Sequence, residues 1–157
     1  MAKPSALYDQ DFVRWTEEQA AALRRAKGSN LPLDWENLAE EIESLGESDR
    51  RELRSQITRI LRHLLKLEVS PAAEPRAVWR ATIREARSEI EGVLDDSPSL
   101  RDEAMALITK QIRAAAELAA DDLGRHSEPA GAVWGRLGKE HYTPEQVLGD
   151  WFPDEPG

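Results

Sequence analysis

The sequence predicts an all-α protein: a bundle of five main helices with a short C-terminal helix and an irregular tail. Three observations lead there. Apolar residues return at helical spacing in five successive segments, and glycine, proline or capping side chains bound those segments. The 157 residues suffice for one buried core but are too few for two ordinary domains. A single domain is therefore expected over residues 7–153, with residues 1–6 disordered and 154–157 frayed.

The first predicted helix runs from about Asp9 to Ala26, with Phe12, Trp15, Gln19, Ala22, Leu23 and Ala26 on one face and Lys27-Gly28 closing it. The second is Asp34 to Gly46. Asp34 is its N-cap, Trp35, Leu38, Ala39, Ile42 and Leu45 form its buried stripe, and Gly46 is its stop. Six acids and no base lie between Asp34 and Glu47. The third begins at the cap Ser48 and reaches about Leu67. Leu53, Ile57, Ile60, Leu61, Leu64 and Leu67 face inward, and Arg50, Arg51, Arg54, Arg59, Arg62 and Lys66 populate the rest. So short a link predicts that the second and third helices fold back as an antiparallel hairpin, acidic helix against basic helix.

Prolines 71 and 75 break the chain before a fourth helix, about Glu74 to Leu94, with Trp79, Ile83, Ala86, Ile90, Val93 and Leu94 inside. A fifth follows the Asp95–Ser99 turn and runs to about Leu123, its alanines suited to close helix approach. Beyond Gly124 the pattern weakens, and Val133 and Trp134 anchor an irregular stretch. Thr143-Pro144-Glu145-Gln146 is a capping box that starts a short helix through Leu148, and Trp151-Phe152-Pro153 pins the tail.

The charge and residue inventory narrows the function classes. A formal net charge of −9 makes nucleic acid and anionic membranes poor partners. The absence of cysteine removes disulfides, thiolate metal sites and thiol nucleophiles, and suits a reducing cytoplasm. No segment approaches the roughly 18 apolar residues of a membrane span, and the N-terminus lacks a signal-peptide core. A soluble cytoplasmic protein is expected.

Two constellations could carry chemistry. Glu41 and His63 lie at the edges of the stripes of the second and third helices, and in a hairpin they could meet as a carboxylate–imidazole pair able to move a proton or bind a metal. Two such groups fall short of the ligands a metal needs, and a structural hydrogen bond is the ordinary alternative, so no metal or cofactor is expected. Arg59, Arg62, Arg76, Arg80, Arg84 and Arg87 form the second set. Arg76 and Arg87 fall near an apolar face, where they could hold an anion or an acid of the second helix, and internal pairing is the favoured reading. Trp15, Trp35 and Trp79 read as core, with an aromatic-lined ligand cleft as the minority alternative, whereas Trp134 and Trp151 read as tail anchors or contact residues. His126 and His141 are isolated. There is no phosphate-binding glycine loop, nucleophile elbow or dinucleotide fingerprint.

Five segments in this order and spacing carry a family resemblance: Leu7-Tyr8-Asp9-Gln10-Asp11-Phe12-Val13-Arg14-Trp15, the Asp34–Gly46 stretch, His63-Leu64-Leu65-Lys66, Trp79-Arg80-Ala81-Thr82-Ile83 and Ser97-Pro98-Ser99-Leu100. Over about Leu7 to Phe152 the chain resembles the bacterial family catalogued as domain of unknown function 29. The resemblance implies an all-helical bacterial domain and carries no activity with it. Leu67-Glu68 stands where an aromatic is more usual, and Asp121-Asp122-Leu123-Gly124 replaces a Glu-Thr-Gly-Leu-like turn. The function expected from all this is a non-enzymatic protein-interaction module, with an unknown protein partner or self-association. A small metal- or ligand-binding protein or enzyme using Glu41 and His63, with Arg76 or Arg87, is the alternative. Nucleic-acid binding on the basic face of the third helix comes third.

Overall fold

A computed structural model describes residues 3–155, and one helix longer than the sequence predicts organises it. Among the described residues the elements are α1 (Pro4–Gln10), α2 (Phe12–Ala26), α3 (Trp35–Val69), α4 (Arg76–Asp96), a 3-10 turn (Pro98–Leu100), α5 (Arg101–Arg125), α6 (Gly131–Leu137) and α7 (Pro144–Leu148), with no strand. The all-α class holds. The predicted hairpin does not, because the second and third predicted helices are one continuous α3 of 35 residues.

The reason is local. Gly46 stops nothing, because it is a buried helix-interior residue facing α2. A Cβ placed on it would come within 2.5 Å of Thr16 Oγ1. The glycine therefore allows α2 to approach closely, and that contact offsets the helix propensity it lacks. Asp34 caps α3 as predicted, accepting the Asn37 amide.

The first predicted helix is divided at Asp11, whose extended backbone ends α1 and whose carboxylate caps α2 at the Arg14 amide (3.0 Å). Asp11 also accepts the amide and hydroxyl of Ser99 (2.8 and 2.9 Å), and Ser97 Oγ accepts the Val13 amide (3.0 Å). The start of α2 is thus tied to the α4–α5 turn. Pro4-Ser5-Ala6, expected to be disordered, open α1, whereas Met1 and Ala2 lie outside the described residues.

α3 packs along its N-terminal half against α2 and along its C-terminal half between α4 and α5. The core sits in that second half. Leu53, Ile57, Ile60, Leu61, Leu64 and Leu67 are buried, as their spacing predicts, against Ile83, Ala86 and Ile90 of α4 and Ala115, Ala116 and Ala119 of α5. Those alanines let α5 lie close to α3. The N-terminal half has α2 as its main neighbour, so its stripe is only part covered. Ala39 is buried, but Leu38 and Leu45, predicted to be inside, are 40% and 49% exposed.

The C-terminal segment packs back on the core through Val133, Tyr142, Val147, Trp151 and Phe152. α6 was not expected from its glycine-rich sequence, and it buries Val133 while leaving Trp134 43% exposed. The predicted capping box is formed: Thr143 Oγ1 accepts the Gln146 amide and Gln146 Oε1 accepts the Thr143 amide. Glu155, expected to fray, binds Arg76 and Arg80, whereas Pro156 and Gly157 lie outside the described residues.

Candidate functional site

Continuity of α3 decides the fate of the predicted Glu41–His63 pair. Both residues lie on one helix about six turns apart, which is about 33 Å at the α-helical rise. They cannot share a proton, a metal or a ligand. His63 Nδ1 lies 2.8 Å from the Arg59 carbonyl one turn earlier. Burial, reinforced by the charges of Lys66 and Arg62, lowers its pKa to about 4 and holds the ring neutral at pH 7. Neutral, the ring donates Nδ1–H to that carbonyl and leaves Nε2 as an acceptor. Among the described residues no three His, Asp or Glu side chains converge to hold a metal ion.

The two arginines proposed from sequence as ligand contacts are structural clamps instead. Arg76 is buried, donating to the carbonyls of Leu67 (2.7 Å) and Ser70 (3.3 Å) at the end of α3 and to Glu155 (2.6 Å). Arg87 donates to the carbonyls of Gln146, Val147 and Trp151 at 2.7–2.9 Å and lies with Arg84 over the Phe152 ring. Both bind the protein's own backbone. Five of the six arginines of the set are held internally, by Asp122, Glu155 and the tail rather than by the acids of α3, and Arg59 has no such partner among the described residues. Those acids meet α2: Glu36 and Glu43 both bind Arg24.

Two ionic clusters went unpredicted because their members are far apart in sequence. Asp122 of α5 receives both arms of Arg62 (2.6 Å each) and Lys66 (3.1 Å), and Lys66 lies over the Trp79 ring. Burial alone would raise the Asp122 carboxyl, but these hydrogen bonds overcome it and hold the pKa at about 2. Glu68 of α3 accepts from Arg136 (2.9 Å) and from the Tyr142 hydroxyl, tying α6 and the loop after it to α3. Of the two departures from the family pattern, Glu68 thus anchors the C-terminal elements to α3, and Asp122 joins α5 to α3.

Two open surfaces bear on function. The first is a polar groove of about 690 Å³ on the outer face of α3, lined by Arg51, Arg54, Ser55, Thr58, Arg59, Arg62 and His63, with Thr82 of α4 and Gln111 and Leu118 of α5. No acid lines it. Among the described residues Arg51, Arg54 and Arg59 have no carboxylate partner within 4.0 Å.

The second surface is one side of the antiparallel arm formed by α2 and the first half of α3. Thr16 opposite Gly46 fixes its register. The Arg24–Glu43 (2.6 Å) and Arg50–Glu17 (2.6 Å) pairs occupy one side of the helix–helix seam. At 100° per residue, Phe12, Trp15 and Leu23 of α2 and Leu38, Ile42 and Leu45 of α3 then fall together on the opposite side. None of the six is fully buried. Tyr8 extends the face, its ring centroid 4.9 Å from Trp15 and 5.7 Å from Phe12. The sequence signalled these residues but assigned them to the core.

No helix of the described residues is long and apolar enough to cross a membrane. Comparison with solved structures finds similarity to an alpha-helical protein of unknown function from Rhodospirillum rubrum ATCC 11170. The likeness has a TM-score of 0.59 at 25% identity and covers 93% of this chain and 91% of that one. No curated protein sequence matches this chain. The family model described as Domain of unknown function DUF29 matches residues 7–152, nearly the whole length, and the chain belongs to that family.

Proposed function

We propose that the protein is a non-enzymatic interaction module that self-associates through the apolar side of the α2–α3 arm. The observation that carries this reading is the exposure of Leu38 (40%) and Leu45 (49%) beside Phe12 and Trp15 on an arm that only the short α1, through Tyr8, partly covers. An antiparallel pair of helices with one uncovered apolar side is half of a four-helix bundle, and an identical arm related by a two-fold axis completes it. By helical position the outer edge of α3 carries Glu41 and Glu52, and that of α2 carries Arg25 beside the Arg14–Glu18 pair, so Arg25 of one copy is the cation that meets the acids of another. Glu41 then serves at an interface rather than at a catalytic site.

Size-exclusion chromatography with light scattering tests the reading. The expected mass is twice 17.7 kDa, and a Leu38→Glu/Leu45→Glu variant is expected to run as a monomer with an unchanged helical spectrum. A wild-type monomer at about 100 μM would refute self-association, since any dimer weaker than that falls outside the usual range of specific homodimers.

A further inference from the structure

We infer that the arginine groove on the outer face of α3 is a binding site for a small phosphate compound of the nucleoside phosphate class. The observation behind this is that three arginines without a carboxylate partner among the described residues line one groove; Arg25, Arg84, Arg87, Arg101 and Arg125 also lack such a partner but stand outside it. Arg24, Arg50, Arg62, Arg76, Arg80 and Arg136 each bind a carboxylate of the chain. Arg51, Arg54 and Arg59 do not, in a protein with 30 acids against 21 bases. Three guanidiniums left without acids along one helix face and lining one groove offer donors of the kind that phosphate oxygens accept in pairs.

The remaining lining groups define the rest of the ligand. Ser55 adds a hydroxyl along the same face, whereas the Thr58 hydroxyl donates to the Arg54 carbonyl (2.9 Å) and lies 3.3 Å from Gln111 Oε1 of α5. His63, neutral with Nε2 as its free acceptor, suits an N–H or O–H donor rather than a second phosphate. A phosphate ester carrying a donor-bearing body satisfies both requirements. The groove volume of about 690 Å³ lies within the range of small-molecule sites and exceeds what a bare phosphate fills. Leu118, 38% exposed at one wall, offers an apolar contact for a planar group.

A long polyanion fits less well. Glu47 lies one turn before Arg51, and Asp121 is close enough to Arg62 to act on its charge, so acids stand at both ends of the groove. Within about 8 Å, the Debye length at physiological salt, these repel a strand continuing past the arginines, whereas a small anion feels mainly the guanidiniums.

The test is an NMR titration of the full-length protein with metal-free ADP, with inorganic pyrophosphate and with a single-stranded RNA ten-mer, following the three histidine rings at pH 7. Saturable ADP binding is expected below about 1 mM at physiological salt. It should shift His63 signals while leaving His126 and His141 in place, and ADP should bind more tightly than pyrophosphate. Arg54→Ala and Arg59→Ala, which remove no internal bond, are each expected to weaken ADP by about tenfold with the melting temperature unchanged. Three results overturn the inference: no saturable His63 shift by about 10 mM ADP, ADP binding unaffected in the Arg54→Ala/Arg59→Ala double variant, or the RNA binding more tightly than ADP. The last would assign the groove to nucleic acid. None of these outcomes depends on self-association.

Discussion

Gly46→Ala puts the close approach of α2 and α3 under direct test. On an isolated helix this change stabilises by about 1 kcal/mol, because alanine loses less backbone freedom on folding and has the higher propensity. Here the added Cβ would lie 2.5 Å from Thr16 Oγ1, a fully buried hydroxyl that donates to the Val13 carbonyl at 2.6 Å. Thr16 cannot turn away without breaking that bond and swinging its methyl group into the contact. Overpacking of this kind costs about 1–3 kcal/mol, so the net expectation is a loss of about 1 kcal/mol, or about 2–4 °C in melting temperature for a chain of this size. In a Thr16→Ala background the sign should reverse. The remaining atoms near that Cβ, Thr16 Cβ at 3.6 Å and Val13 Cγ1 at 3.7 Å, are at ordinary contact distance. The added methyl then contributes only its helix propensity, a gain of up to about 1 kcal/mol. Urea unfolding of the four proteins gives a coupling energy of about 2 kcal/mol. A Gly46→Ala protein more stable than the wild type, or a coupling near zero, would show that the glycine is a tolerated accident rather than the contact that keeps α3 continuous.

Asp122→Asn is expected to cost about 2 kcal/mol, since it leaves the buried Lys66 ammonium with only the Trp79 ring and cuts Arg62 loose. The native carboxyl is held at about 2, below its value in an unfolded chain, so its contribution is complete above about pH 4 and disappears as the pH falls toward 2. Chemical denaturation between pH 5 and pH 2 should therefore show a steeper loss in wild type than in the variant, and parallel curves would count against the ion cluster. Arg87→Lys keeps the charge but loses the fork that spans the carbonyls of Gln146, Val147 and Trp151. Amide exchange over residues 144–152 should quicken by about tenfold while the core amides of α3 stay protected, and uniform protection would refute the clamp.

Much of the fold was legible because helical periodicity is a local property. The stripe Leu53–Leu67 is buried as its spacing requires, and the Thr143–Gln146 capping box forms where its four residues predict it. Gly46-Glu47-Ser48 misled for an equally local reason, since a glycine followed by a serine cap is how a helix ends and another begins. What overrides the signal is Thr16, thirty positions earlier, and no local pattern announces that contact. The same error produced the Glu41–His63 site, which required a turn that α3 does not make. Arg76 and Arg87 were correctly placed near apolar faces, but their acceptors are backbone carbonyls, with Glu155 of the tail added for Arg76, which no side-chain pattern reveals.

The sequence by itself determined the helical class, the family, the buried face of the C-terminal half of α3 and the absence of every thiol-based chemistry. Only the tertiary structure decided that α3 is one rod, that Leu38 and Leu45 face outward, and that three arginines share a groove without an acid. The physical reason is that periodicity records which face of a helix is apolar but not how many neighbours arrive to cover it. One neighbour leaves part of the stripe exposed, as along the α2–α3 arm, whereas α4 and α5 together enclose the rest.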